Sequence, residues 1–266
     1  MSNEAVAAVE LGLADALAVF ESLDEAEWAR PSGCSGWRVQ DVAAHMSSNF
    51  KETSEPSPPP DPPLPPMPAE RLMDMLVQPR LDWTPEQVLD ELTAYAPRAV
   101  ATLKALQEEP VASAPLTVAD LGTYPMHMLA DAYAFDVYCH LRVDVVAPHG
   151  PIERPVPPAD EARLGPTIGW MLAGLPQMQG PAFGALDRPV VLELTGPGGG
   201  TWSVVGTGDG YVAVEPGTAS GAGAVVTSDG HSFVLWGTKR DDWRNHVTID
   251  GDEGLASSFL DTLNIV

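Results

Sequence analysis

Cysteine is scarce in this chain: Cys34 and Cys139 are the only two, and they form no CxxC pattern. That excludes a disulfide framework and fits free thiols in a reducing compartment. Cations are also few, with 14 Lys and Arg against 37 Asp and Glu, for a formal charge of −23. Without a polycationic footprint to neutralise phosphates, nucleic acid and anionic membranes are excluded as partners, and the acidity reads as a solubility device. No run approaches the ~18 apolar residues of a membrane span. The opening MSNEAVAAVE lacks the basic n-region and apolar core of a signal peptide. A cytoplasmic protein is expected. No internal repeat is visible, and the GPGGG run at Gly196–Gly200 has neither GxGxxG nor Walker spacing, so it reads as a hairpin loop.

What is present suffices for packed cores: 44% of residues are hydrophobic and 19% charged. A length of 266 residues suits two domains of ordinary size. The first is expected to span 1–150 as a four-helix bundle and the second 151–266 as a small α+β domain.

In the first, Val6, Val9, Leu13, Leu17 and Phe20 recur at helical spacing and predict a helix over Asn3–Leu23. A turn rich in Pro, Ser and Gly, bracketed by Trp28 and Trp37, then feeds a helix from about Arg38 that carries Asp41 and His45. Asp41 falls in the first turn, where a carboxylate favours the helix dipole. Glu52–Ala69 is mostly Pro, Ser and Asp, which predicts a stiff polyproline-like loop. A short helix over Ala69–Val77 follows. Thr84-Pro85-Glu86-Gln87 then supplies an N-cap, a proline at the first helical position and a capping-box residue for a helix to about Gln107, kinked at Pro97. After a loop at Glu108–Asp120, a last helix should begin near Thr123 or Tyr124.

That last helix holds the motif with the most chemistry. Asp136 and His140 are one turn apart, about 40° around the axis, and can offer two ligands to one metal ion. A solvated Asp/His pair is the commoner use of this spacing. It gains weight from His45, which an adjacent helix can bring to the same point, since metal sites in bundles are built from facing helices. His127 and Asp131 point elsewhere on the helix, Cys139 reads as a buried thiol, and Tyr133 as packing. Asp144, one turn beyond His140, can accept from an imidazole N–H.

Ala147–Ala159 reads as a proline-rich linker with a solvent-facing His149. Beyond it the pattern predicts a helix over Asp160–Met178 and strands over Pro189–Thr195, Thr201–Val205, Tyr211–Val214 and Ala224–Thr227. A helix capped by Ser228, a strand over His246–Ile249 and a helix over Gly254–Leu263 complete an antiparallel α+β domain.

Three segments in this order resemble one family. PSGCSGWRVQDVAAHM (Pro31–Met46), DVYCH (Asp136–His140) and VTIDGDEGLASSFLDTLNI (Val247–Ile265) are similar to parts of the mycothiol-dependent maleylpyruvate isomerases. These join a DinB-like metal-binding bundle to a C-terminal domain related to sterol carrier proteins. The resemblance implies an α+β two-domain fold with His45, Asp136 and His140 as metal ligands. It also implies a catalytic Arg240, or Lys239 in its place, after the Trp-bearing C-terminal helix. Three departures are visible. Asp136 stands where the family has Glu, Arg38 where the helix cap is usually Thr, and the family's Gly-Arg pair is spread into Gly237-Thr238-Lys239-Arg240.

Two imidazoles and one carboxylate leave a tetrahedral ion one open position, the mark of a catalytic site. Zinc is the expected metal, with iron, nickel and cobalt also suited to this donor set. The resemblance implies mycothiol as cosubstrate, held at the metal as a thiolate. Its sulfur adds to a C=C bond, the resulting single bond rotates, and elimination gives the trans isomer. Arg240 would pair with a carboxylate of substrate or cosubstrate. Other readings of the same site are a mycothiol S-transferase acting on electrophiles, a metal-dependent hydrolase, and a non-catalytic binder of apolar ligands. The expected partners are a small-molecule substrate and a low-molecular-weight thiol, in a monomer or homodimer.

Overall fold

The computed structural model describes residues 3–58, 61, 64–179, 183 and 186–265. It divides into two compact units, 1–158 and 159–266. Among the described residues no helix is long and apolar enough to cross a membrane.

The first unit is built on four long helices. α1, Asn3–Phe20, buries Val6, Val9, Leu13, Val19 and Phe20 along one stripe. Where the sequence suggests only a turn, a single helical turn, α2 (Glu25–Trp28), forms. Its cause is a reciprocal cap: the Asp24 carboxylate accepts from the Glu27 N–H at 2.8 Å, and the Glu27 carboxylate accepts from the Asp24 N–H at 3.0 Å. Trp28 stacks on Phe20, with ring centroids 5.4 Å apart. α3 spans Val39–Ser54, so Glu52–Ser54, expected in the proline-rich loop, are helical. The polyproline conformation expected for that loop lies in part, at 59, 60, 62 and 63, outside the described residues. α4 spans Ala69–Val77. α5, Pro85–Ala105, starts at the expected Thr84 cap and runs through Pro97.

The segment before the last helix departs from expectation. Pro115–Val118 (β1) and Gly122–Pro125 (β2) pair as an antiparallel hairpin, so Thr123 and Tyr124 lie in a strand and not at a helix start. Thr117, Val118 and Thr123 are β-branched and favour extended backbone, and the Thr117 and Thr123 hydroxyls meet across the pair at 2.9 Å. α6 therefore begins later, at Leu129, and ends at Cys139, where the chain widens into a π-helical turn over His140–Val145.

α3 packs on α5, and α1 packs on α6 and α5, around a core of Val9, Phe20, Val42, Met46, Phe50, Leu92, Leu103 and Val137. Two buried ion pairs cross it. Arg80 grips Glu91 bidentately at 2.6 and 2.7 Å, and Arg142 of the π turn meets Asp15 of α1 at 3.0 Å.

The second unit carries a five-stranded sheet, β3 (Val190–Thr195), β4 (Gly200–Gly206), β5 (Val212–Pro216), β6 (Ala224–Asp229) and β7 (Thr248–Gly251), in the order β5-β4-β3-β6-β7. Every pair is antiparallel except β3 with β6. GPGGG does turn the β3–β4 hairpin, with Gly196 and Gly198 at positive φ. The helices are α7 (Glu161–Met178), α8 (Gly230–Gly237) and α9 (Glu253–Thr262). The cap of α8 is Asp229, which accepts from the Ser232 N–H at 3.0 Å, and not Ser228. Ser228 is still in β6, and its hydroxyl donates to the His246 carbonyl and accepts from the Trp236 indole.

Candidate metal centre

The site starts from the entry to α3. Arg38 is extended at the cap position and has no side-chain acceptor to offer the helix. The carboxylate of Asp41 supplies the return half of the cap: it accepts from the Arg38 backbone N–H at 2.8 Å and from the guanidinium at 2.8 and 2.9 Å. Asp41 is thus committed to Arg38 and starts the helix that carries His45 one turn on.

His45 is only 2% exposed. Its Nε2 lies 3.0 Å from Asp136 Oδ1 on α6 and 3.3 Å from the Asn49 amide nitrogen. His140 follows Asp136 by one turn and places its Nε2 3.5 Å from the same Asp136 oxygen. The two imidazole rings meet edge to face at 4.7 Å. Ligand atoms of His45, Asp136 and His140 therefore all lie within 4.8 Å of one another.

The ring of His140 is held from behind. Its Nδ1 lies 2.8 Å from Asp144 Oδ2 in the π turn and 3.5 Å from Cys34 Sγ. Cys34 comes from the loop between α2 and α3, which is tied to the π turn by a 2.7 Å hydrogen bond from the Gly33 N–H to the Asp144 carbonyl. Trp37, at the end of that loop, lies over both imidazoles, 5.2 Å from His45 and 6.4 Å from His140. Its indole N–H donates to Asp74 of α4 at 3.2 Å. Tyr133 donates to the Asn49 carbonyl at 2.8 Å and also meets the Thr53 hydroxyl, joining α6 to α3 beside the histidines.

Electrostatics couple the cluster. Burial acts to raise the Asp136 pKa, but the two imidazoles outweigh it and hold the carboxyl well below the usual carboxylate range. Burial acts to lower the His140 pKa, yet Asp136, with help from Asp144 and Cys34, holds it well above the ordinary imidazole value.

The residues fit a divalent cation. Two nitrogens and one oxygen are a catalytic-type donor set. Asp136 Oδ2 is buried without a hydrogen-bond partner, an arrangement that costs about 1–3 kcal/mol unless a ligand answers it.

Other sequence candidates sit elsewhere. His127 Nδ1 faces the Ala112 carbonyl at 3.0 Å, Cys139 is buried, and burial pushes Asp131 up to about 6 against the opposing pull of His127. Arg240 lies in the second unit, in the turn after α8, where its N–H donates to the Leu235 carbonyl at 2.9 Å. Lys239 is separated from it in role: φ is +58° and its ammonium donates to the Leu260 and Asp261 carbonyls at 3.0 Å each. Cys34, Trp37 and Asn49 are neighbours of the cluster that sequence reasoning did not place there. The segment Pro31–Met46 hinted at Cys34 and Trp37, and Asn49 lies beyond it.

A helical bundle with a part-buried two-imidazole, one-carboxylate cluster, followed by a mixed-sheet α+β unit, makes an α+β protein with a candidate metal centre in its bundle. The family model described as the mycothiol maleylpyruvate isomerase N-terminal domain matches residues 9–142, just over half of the chain, and the chain belongs to that family. A crystal structure of the mycothiol-dependent maleylpyruvate isomerase is similar with a TM-score of 0.58 at 18% identity, covering 94% of this chain and 93% of its own. The crystal structure of a histidine-to-alanine mutant of that isomerase is similar with a TM-score of 0.57 at the same identity and coverage. At this identity the likeness is one of fold. No curated protein gives a significant match.

Proposed function

We propose that the protein is a metal- and mycothiol-dependent isomerase of the maleylpyruvate isomerase type, with zinc or a similar divalent ion held by His45, Asp136 and His140. The observation that carries this reading is the convergence of three ligand atoms within 4.8 Å, with a second Asp136 oxygen left without a partner. When bound, the ion supplies a Lewis-acidic position that holds a thiol as its thiolate at neutral pH.

The chain's own residues prepare that position. With its Nδ1 proton directed at Asp144, His140 keeps the Nε2 lone pair free for coordination and its ring fixed. Trp37 covers the imidazoles and limits the approach of water. The Asn49 amide nitrogen stands 3.3 Å from His45 Nε2, at the edge of the position the ion would take. The reaction is addition of the thiol sulfur to an activated cis C=C bond, rotation about the single bond so formed, and expulsion of the sulfur to restore the double bond in trans geometry. Arg240, which the resemblance matches by position, is the cation assigned to a substrate carboxylate.

The test is metal analysis of the purified protein, followed by an isomerisation assay with and without mycothiol. One equivalent of divalent metal and thiol-dependent turnover are expected, and the turnover is lost in His45→Ala. Metal-free protein, or His45→Ala with full turnover, rejects the reading. Consumption of thiol by a supplied electrophile without isomerisation identifies an S-transferase instead.

A further inference from the structure

His140 has two faces, and each meets a ligand set. Nε2 faces His45 and Asp136, whereas Nδ1 faces Cys34 Sγ at 3.5 Å and Asp144 Oδ2 at 2.8 Å. The ligand atoms of Cys34, His140 and Asp144 also all lie within 4.8 Å of one another. We propose that Cys34, His140 and Asp144 form a second metal position, occupied in alternation with the first and selective for thiophilic divalent cations such as Zn2+ and Cd2+.

The geometry is close to what such an ion requires. Bonds of about 2.0–2.3 Å in a tetrahedron set ligand atoms about 3.3–3.8 Å apart. The Sγ–Nδ1 separation already falls in that interval, and the Nδ1–Oδ2 contact must open by several tenths of an ångström. The two halves of the set are also locked together. Gly33, next to Cys34, donates its N–H to the Asp144 carbonyl, and its missing Cβ would lie only 2.9 Å from the Asp144 Cα. Cys34 is partly exposed and Asp144 is 1% exposed, so the set has a solvent-facing soft donor and a buried hard one. Thiolate, imidazole and carboxylate together suit zinc and cadmium better than calcium or magnesium.

Alternation follows from the ring. A neutral imidazole has one nitrogen lone pair to give and carries its proton on the other nitrogen. An ion at Nδ1 therefore leaves Nε2 protonated and withdraws it from His45 and Asp136. On binding at the second position, the Cys34 thiol proton and the His140 Nδ1 proton leave for solvent, Nε2 keeps its own proton, and the metal forms bonds to Sγ, Nδ1 and a carboxylate oxygen. Only this sharing of His140 rests on the proposed function. The Cys34 set stands on its own distances.

Cobalt(II) is the probe. Loading wild-type protein is expected to give a near-ultraviolet thiolate-to-cobalt charge-transfer band. Cys34→Ser should lose that band while retaining the visible d–d bands of the nitrogen and oxygen set. His45→Ala should keep the charge-transfer band. A measurement without mutation runs beside it: Zn2+ or Cd2+ should slow iodoacetamide alkylation of Cys34 by about tenfold or more, since the free thiolate is the reactive form. Buried Cys139 serves as the internal reference.

Absence of the band in both wild type and His45→Ala, its persistence in Cys34→Ser, or alkylation indifferent to Zn2+ and Cd2+ overturns the proposal. If His45→Ala binds cobalt as wild type does, with the band intact, the second position stands and the metal role given to His45 falls.

Discussion

Gly33 is pressed against Asp144. Its N–H donates to the Asp144 carbonyl at 2.7 Å, and a Cβ at position 33 would lie 2.9 Å from both the Asp144 Cα and its Oδ1. Backbone on the far side cannot yield as a flexible side chain can. Gly33→Ala is therefore expected to cost about 1–3 kcal/mol in denaturant unfolding. It should also raise the alkylation rate of Cys34, because the loop must lift to make room. An unfolding midpoint unchanged from wild type would show that the loop is not clamped.

The opposed shifts of Asp136 and His140 make a pH prediction for metal-free protein. Asp136 is depressed in the fold, so its stabilisation is present above the ordinary carboxyl value of 3.8 and lost as pH falls through its folded value. His140 is raised, so its stabilisation is present below 6.5 and lost as pH rises through its folded value. Both operate together between 3.8 and 6.5. In EDTA-treated samples, the Tm deficit of Asp136→Asn relative to wild type should be largest in that window and shrink on the alkaline side. A deficit that grows above pH 8 contradicts the coupling.

Zinc should show the inverse dependence. Binding at His140 Nε2 requires loss of one imidazole proton, so apparent affinity should tighten by about tenfold per pH unit while the folded imidazole remains protonated. Isothermal titration at three pH values checks the slope. A pH-independent affinity excludes His140 from the ligand set.

Arg80 and Glu91 form a pair with both side chains 7% exposed, joined by the Ser47 hydroxyl of α3 at 2.6 Å. Removing Arg80 leaves the Glu91 carboxylate in the core with only the Ser47 hydroxyl and a half-exposed Lys51, 3.8 Å away, to answer it. Arg80→Met is expected to cost about 3–5 kcal/mol, whereas Arg80→Met with Glu91→Leu should recover most of it. Chemical denaturation of the three proteins decides this, and equal losses in the single and double variants refute it.

If Arg240 contacts a substrate carboxylate, Arg240→Met should raise KM by about 10- to 100-fold, matching the ~1.5–3 kcal/mol of a charged hydrogen bond. Zinc content should not change. Lys239→Met, which loses contacts to the Leu260 and Asp261 carbonyls, should lower thermal stability and leave KM near wild type. The reverse pattern would transfer the role to Lys239.

The legible and illegible parts of the chain divide along physical lines. The long helices announced themselves because stripes such as Val6, Val9 and Leu13 repeat at the pitch of the structure they form. Asp136 and His140 were readable for the same reason, and His45 was joined to them by the expectation that a facing helix supplies a further imidazole. Cys34 and Trp37 were opaque: they sit in a Ser- and Gly-rich loop without periodicity, whose path depends on docking against Asp144. The π turn is equally silent in sequence, since it differs from an α turn by a one-residue offset of hydrogen bonds such as Val146 N–H to the Leu141 carbonyl. Ser228 and Asp229 are both good caps, and only the end of β6 selects between them. The β1–β2 hairpin is four residues a side, too short to outvote the helical pattern beginning just beyond it.

The break after Pro158 has a practical consequence. Every member of the two ligand sets precedes it, and Arg240 follows it. If those sets bind metal as proposed, a truncated protein ending there should still sequester cobalt on its own.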